Sequence, residues 1–137
     1  MAASIHRPEI LDFLLKQGAD AVGPTNDFSK TALMYAAQHD ELQAVTQLLA
    51  AGADPNAKTK AEGCPGLNRD HRTPLMYAAE NSHTASLQLL SDNGADSCAK
   101  DTQGNDLSFY ADRNAVDNSV PTWVASQLRA CATNATQ

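Results

Sequence analysis

The chain has 137 residues, 42% apolar and only 5% aromatic, with a formal charge of −6 and a pI near 4.9. That is one domain's worth of chain with enough apolar side chains for a core, and the low aromatic share suits stacked small helices better than a β-sandwich. The scatter of its ten Lys and Arg residues argues against a nucleic-acid surface, and no apolar run approaches the roughly 20 residues a bilayer demands.

In chain order, Ile10, Leu11, Leu14 and Leu15 form the first helical face, which closes at Gly18-Ala-Asp20. Only Met1–Ser4 precede it, too little for a partner helix, so this unit reads as a half. Those first residues show neither a basic leader nor an apolar signal core. Next comes Thr31-Ala-Leu-Met-Tyr-Ala-Ala37. Thr31 is placed to cap a short helix, its hydroxyl accepting an unpaired backbone N–H. A second helix is predicted over Leu42–Ala50, with Leu42, Val45, Leu48 and Leu49 on one face and Gly52 ending it.

The cassette then recurs as Thr73-Pro-Leu-Met-Tyr-Ala-Ala79, with Pro74 at the first helical position, where its missing N–H costs nothing. Ala85, Leu87, Leu90 and Gly94 repeat the second-helix positions. In both copies Gly-Ala-Asp begins 21 residues after the threonine. Beyond it lie a turn at Asp101-Thr-Gln-Gly104, a capping position at Asp106 and an apolar patch at Leu107, Phe109, Tyr110 and Ala111. A last helix is predicted from about Ser119-Val-Pro121, with Trp123, Val124 and Leu128 facing inward. Self-similarity in a fixed register marks a stack of units that bury their faces against one another, with atypical units at the ends.

These motifs closely resemble the ankyrin-repeat family, whose signature of turn glycine, Thr-Pro-Leu-His-x-Ala-Ala, leucine-rich helix and Gly-Ala-Asp can be followed along nearly the whole chain. The resemblance implies an all-α solenoid of helix-turn-helix units with hairpin-like fingers projecting from one edge. Residues 5–25 are a half repeat, 26–57 a repeat, 58–99 a repeat with an enlarged finger, 100–131 a degenerate C-terminal cap and 132–137 a tail. Met34 and Met76 stand where the family has histidine, which removes a hydrogen bond between neighbouring turns. Ser29 and His71 stand at the family's turn glycine, so these fingertips are expected to take another shape.

Asp54 and Thr73 are 19 residues apart, against 11 from Asp20 to Thr31 and 10 from Asp96 to Asp106. The excess lies around residues 59–68, a Gly- and Pro-containing loop that reads equally as a binding element or a tolerated insertion. Two readings of its Cys64 stay open. It forms a disulfide with Cys98 at the base of the next finger, which implies an oxidising compartment and export, or both are free thiols in the cytoplasm, the default compartment. Cys131 reads as a lone thiol. Cys64, His71, His83 and Cys98 lack metal-site spacing. No nucleophile–base pair, phosphate loop or carboxylate dyad is recognisable, so neither catalysis nor a cofactor is expected.

In the ankyrin family partners lie along fingers and first helices. Carried over by position, the contact residues are Asp27, Phe28 and Lys30 on one finger and Arg69, Asp70 and Arg72 on the next. Met34, Gln38 and His39 come from one first helix, and Met76, Glu80 and Asn81 from the other. Each has a plainer reading: the methionines pack between units, Phe28 folds over its own turn, and the arginines are solvated. The expected function is a non-catalytic module that binds a protein, as a monomer or as a weak dimer through the half repeat. The alternative is a fragment or a regulatory or inhibitory segment of a longer protein, such as an enzyme or its inhibitor.

Overall fold

A computed structural model describes residues 7–24, 29–60, 71–113 and 119–134 of the chain. Among them the elements are seven helices, α1 (Pro8–Lys16), α2 (Ala32–Gln38), α3 (Leu42–Ala50), α4 (Pro74–Glu80), α5 (Thr84–Asp92), α6 (Leu107–Ala111) and α7 (Ser119–Asn134). The only strand-like pairing described is an isolated antiparallel bridge between Pro24 and Thr31.

The short helices start where a polar side chain meets their first N–H groups. Thr31 and Thr73 accept from Met34 N and Met76 N at 3.3 and 3.4 Å, and Asp106 accepts from Ser108 N at 3.0 Å. Met34 also returns a contact, its Sδ lying 3.4 Å from Thr31 N, so the thioether closes a weak capping box. After α1, α3 and α5 the chain turns through Gly18, Gly52 and Gly94 at φ of 86–93°, a conformation that costs a Cβ-bearing residue about 1–2 kcal/mol.

Helices α2, α4 and α6 pack side by side as one row, and α1, α3 and α5 as a second row behind it. The core runs between the rows. Leu33, Ala36 and Ala37 of α2 and Leu75, Ala78 and Ala79 of α4 are buried against Val45, Leu48, Leu87 and Leu90. The alanines allow close helix approach, while each fully buried leucine contributes about 1.5–3 kcal/mol. The predicted second-helix face is rotated slightly from the observed one: Ala44 is buried, Leu42 is exposed and Leu49 is half-buried. In the third unit Ser86 faces inward while Ala85 is exposed. Ser86 Oγ hydrogen-bonds Asp40 Oδ1 at 2.5 Å, which explains a buried hydroxyl there.

At the far end α7 covers α6 with Val120 and Val124, and Trp123 and Leu128 pack at the edge of the core. Trp123 Nε1 donates to Gln88 Oε1 at 3.1 Å. At the near end only Leu11 of α1 is buried, and Ile10, Phe13 and Leu14 are exposed, Phe13 by 60%.

Candidate interaction surface

The front of the molecule is the α2–α4–α6 row. Three tyrosines recur on it at the fourth place after each capping residue: Tyr35, Tyr77 and Tyr110. Lys30 and Arg72 each stand immediately before a cap, and their side chains run along the furrows between neighbouring first helices. Lys30 Nζ lies 4.1 Å from the ring centroid of Tyr35 and 4.3 Å from that of Tyr77. Arg72 Cζ lies 4.1 Å from the Tyr77 ring and 4.7 Å from the Tyr110 ring. Ring and cation thus alternate across three units, each contact being worth about 0.5–2 kcal/mol.

The seventh place after each cap supplies the partners for the cation tips. Lys30 hydrogen-bonds Gln38, and Arg72 forms an ion pair with Glu80, their side chains being 13% and 21% exposed. The third occupant of that place is Arg113, whose Nε approaches Glu80 Oε1 at 3.7 Å while its guanidinium lies 5.8 Å from the Phe109 ring. Asn105 takes the place of Lys30 and Arg72 in the last unit and turns instead to Asp101, at 2.9 Å.

The finger stem fixes Arg72 from below. Thr59 N donates to Arg72 O at 3.1 Å, His71 N donates to Thr59 O at 2.9 Å, and Arg72 N donates to the buried Thr59 Oγ1 at 3.0 Å. Burial, with the Arg72 charge next in size, lowers the Lys30 ammonium pKa to about 8 from 10.5, and Glu80 pulls the other way. Burial also raises the Tyr77 phenol above its usual 10.0, so no tyrosinate forms to compete for the cations near neutral pH.

The ankyrin-repeats family model matches residues 1–101 in three copies. The chain belongs to the ankyrin-repeat family. No curated protein matches it. Ankyrin repeats are in general protein–protein interaction modules and non-catalytic, and no helix among the described residues is long and apolar enough to cross a membrane.

Of the ankyrin contact positions, Lys30, Gln38, Arg72 and Glu80 come together in this one ladder. His39, the C-cap of α2, is exposed. Asn81, the C-cap of α4, is half-buried and donates to Tyr77 O at 2.9 Å. Met34 and Met76 are 0% and 1% exposed, which removes them as contacts: their side chains fill the space between units. Asp27, Phe28, Arg69 and Asp70 lie outside the described residues, as does most of the long finger. Sequence reasoning missed Tyr35, Tyr77, Tyr110 and Arg113. The available signal was their register, since the tyrosines sit inside the repeated cassette and Arg113 aligns with Gln38 and Glu80.

Ser29 and His71, which stand where the family has glycine, themselves take a left-handed backbone at φ 55° and 63°, and the rest of both fingertips lies outside the described residues. One further expectation changes. Cys98 does not pair with Cys64. It is bonded to Cys131, with S–S 2.02 Å and Cα–Cα 5.7 Å, and its single sulfur valence is thereby used. Cys64 itself lies outside the described residues, and Cys131 is no lone thiol. The α7 helix, placed over α6, brings its last turn back to the preceding finger base, a juxtaposition that spacing along the chain does not reveal.

Proposed function

We propose that this chain is a non-catalytic module that binds a protein partner through the front of its first helices and the finger stems beside them. The observation that carries this is the convergence of Lys30, Gln38, Arg72 and Glu80, from two fingers and two helices, into one continuous strip, with Tyr35 partly exposed beside it and Tyr77 and Tyr110 buried beneath it. Tyr and Arg are the side chains that interfaces use most heavily as anchors, since they bring large, stiff area at low entropic cost. Internal pairing prearranges them, which lowers the ordering cost on association.

Site-specific photocross-linking in extracts of the source organism tests the assignment. A cross-linker at Gln38 on the front is expected to capture a discrete partner, while one at Gln43, exposed on α3 at the back, captures none. Equal labelling from both positions, or labelling from Gln43 alone, would refute it.

A further inference from the structure

The α1 end of the stack exposes apolar side chains at positions that the other units bury. Aligning Gly18, Gly52 and Gly94 sets α1 against α3 and α5 residue by residue. Leu14 then matches Leu48 and Leu90, which are 1% and 0% exposed, yet Leu14 itself is 39% exposed. Ile10 matches the buried Ala44 and Ser86 and is likewise exposed. The cause is packing. Helices α3 and α5 are covered by α2 and α4, the first helices of their own units, whereas among the described residues no such helix accompanies α1.

Ile10, Phe13, Leu14 and Gln17 follow the i, i+3, i+4, i+7 spacing of a single stripe. Near its centre Phe13 is the most exposed large apolar side chain among the described residues. Glu9 and Lys16 are both exposed and stand two helical turns apart, so they border the same edge of that stripe. Lys16 Nζ meets Asp12 Oδ2 at 2.6 Å, but its side chain is 72% exposed, and an ammonium has donors for a second carboxylate.

We infer that α1 is a self-association surface, occupied by α1 of a second copy packed antiparallel about a two-fold axis. That arrangement lays the stripe on its own duplicate, with the two Phe13 rings near the axis, and brings the same edge of both helices together. Because the helices run in opposite directions, Glu9 of each copy meets Lys16 of the other. Flanking charges in such places set the orientation of paired helices. An antiparallel neighbour is also what the other second helices have, since α3 turns back on α2 and α5 on α4 through the short connections 39–41 and 81–83. The contact is isologous and closes at two copies. Three apolar side chains a side fall short of the roughly 800 Å² per partner of a standard interface, so the dimer is weak. It lies on the rear row, apart from the strip of Lys30, Gln38, Arg72 and Glu80, and is independent of the module reading.

Sedimentation equilibrium of the full chain tests this in a Cys64→Ser background, which excludes thiol-linked dimers. The average mass is expected to rise from one chain at about 5 μM toward two at about 1 mM and no further. Phe13→Asp should weaken association at least tenfold, with urea midpoints establishing that the variant folds; should it not fold, Ile10→Lys takes its place. The charge series is made with Asp12→Asn, which removes a like charge beside the exchanged position 16. There Glu9→Lys should weaken association about three- to tenfold, and adding Lys16→Glu, which restores the pairing with its signs exchanged, should recover most of that loss. A chain that stays monomeric to about 1 mM leaves the stripe to some other occupant and overturns the inference. So does association untouched by Phe13→Asp, growth past two copies, or a charge exchange that recovers nothing.

Discussion

The Asp101 carboxylate organises the last finger. It accepts from Tyr110 Oη at 2.6 Å, from Asn105 Nδ2 at 2.9 Å, and from Gln103 N and Asn105 N at 2.9 Å each. Burial pushes its pKa up, but these hydrogen bonds, Tyr110 foremost, outweigh burial and hold it below 3.8. A carboxyl depressed on folding stabilises above its unfolded pKa, and that contribution is lost as pH falls through the lower folded value. Asp101→Asn should therefore flatten the loss of stability below about pH 4 in acid titrations followed by circular dichroism. Tyr110→Phe should cost about 1.5–3 kcal/mol in urea unfolding, the range for a buried hydrogen bond to a charge. Lys30 has the opposite alkaline signature. Because its ammonium pKa is lowered to about 8 from 10.5, the unfolded chain binds more protons between those values, and stability rises with pH there. The rise should be visible from about pH 8 to 10, before the raised Tyr77 phenol begins to reverse it, and absent in Lys30→Met. Neither network was legible residue by residue. The sequence places Asp101 in a turn and Lys30 on a finger, whereas hydrogen-bond partners and burial depend on neighbours far along the chain.

At the scale of elements, α7 is the part held by a covalent tie as well as by packing. The Cys98–Cys131 bond spans 33 residues, and the chain-entropy account gives such a closure about 3–4 kcal/mol. Reduction, or Cys98→Ser, is expected to lower the unfolding free energy by about 2–4 kcal/mol, with α7 and α6 the first helices to loosen. Alkylation of the unreduced, denatured protein checks the pairing directly. One thiol of the three cysteines should react and map to Cys64, whereas a Cys64–Cys98 bridge would leave Cys131 to react. The helices themselves were readable. Predicted Leu42–Ala50 is α3 to the residue, and Thr31, Thr73 and Asp106 cap where expected, because capping and termination are local chemistry. Exposed Leu42 and buried Ser86 were not, since a helix's contact face is chosen by what packs against it.

For the whole molecule, a stack in which each unit touches only its neighbours gains stability from its interfaces, so the middle should outlast the ends. Every residue of α4 except Glu80 is buried, whereas α1 buries only Leu11. Hydrogen exchange read by mass spectrometry is expected to show the slowest amides in α4 and the fastest in α1. Uniform protection along the chain would contradict that picture.

The amino-acid sequence alone determined the repeat register, the helix boundaries and the all-α ankyrin stack, because these follow from caps, glycine turns and apolar spacing that act over a few residues. The resemblance to the family also named Lys30, Gln38, Arg72 and Glu80 among twelve contact positions. Tertiary structure alone decided that those four meet in a tyrosine-lined ladder, that Met34 and Met76 lie inside, and that Cys98 joins Cys131. Each of these depends on which surfaces come within a few ångströms when units stack, a relation set by packing between residues far apart in the chain.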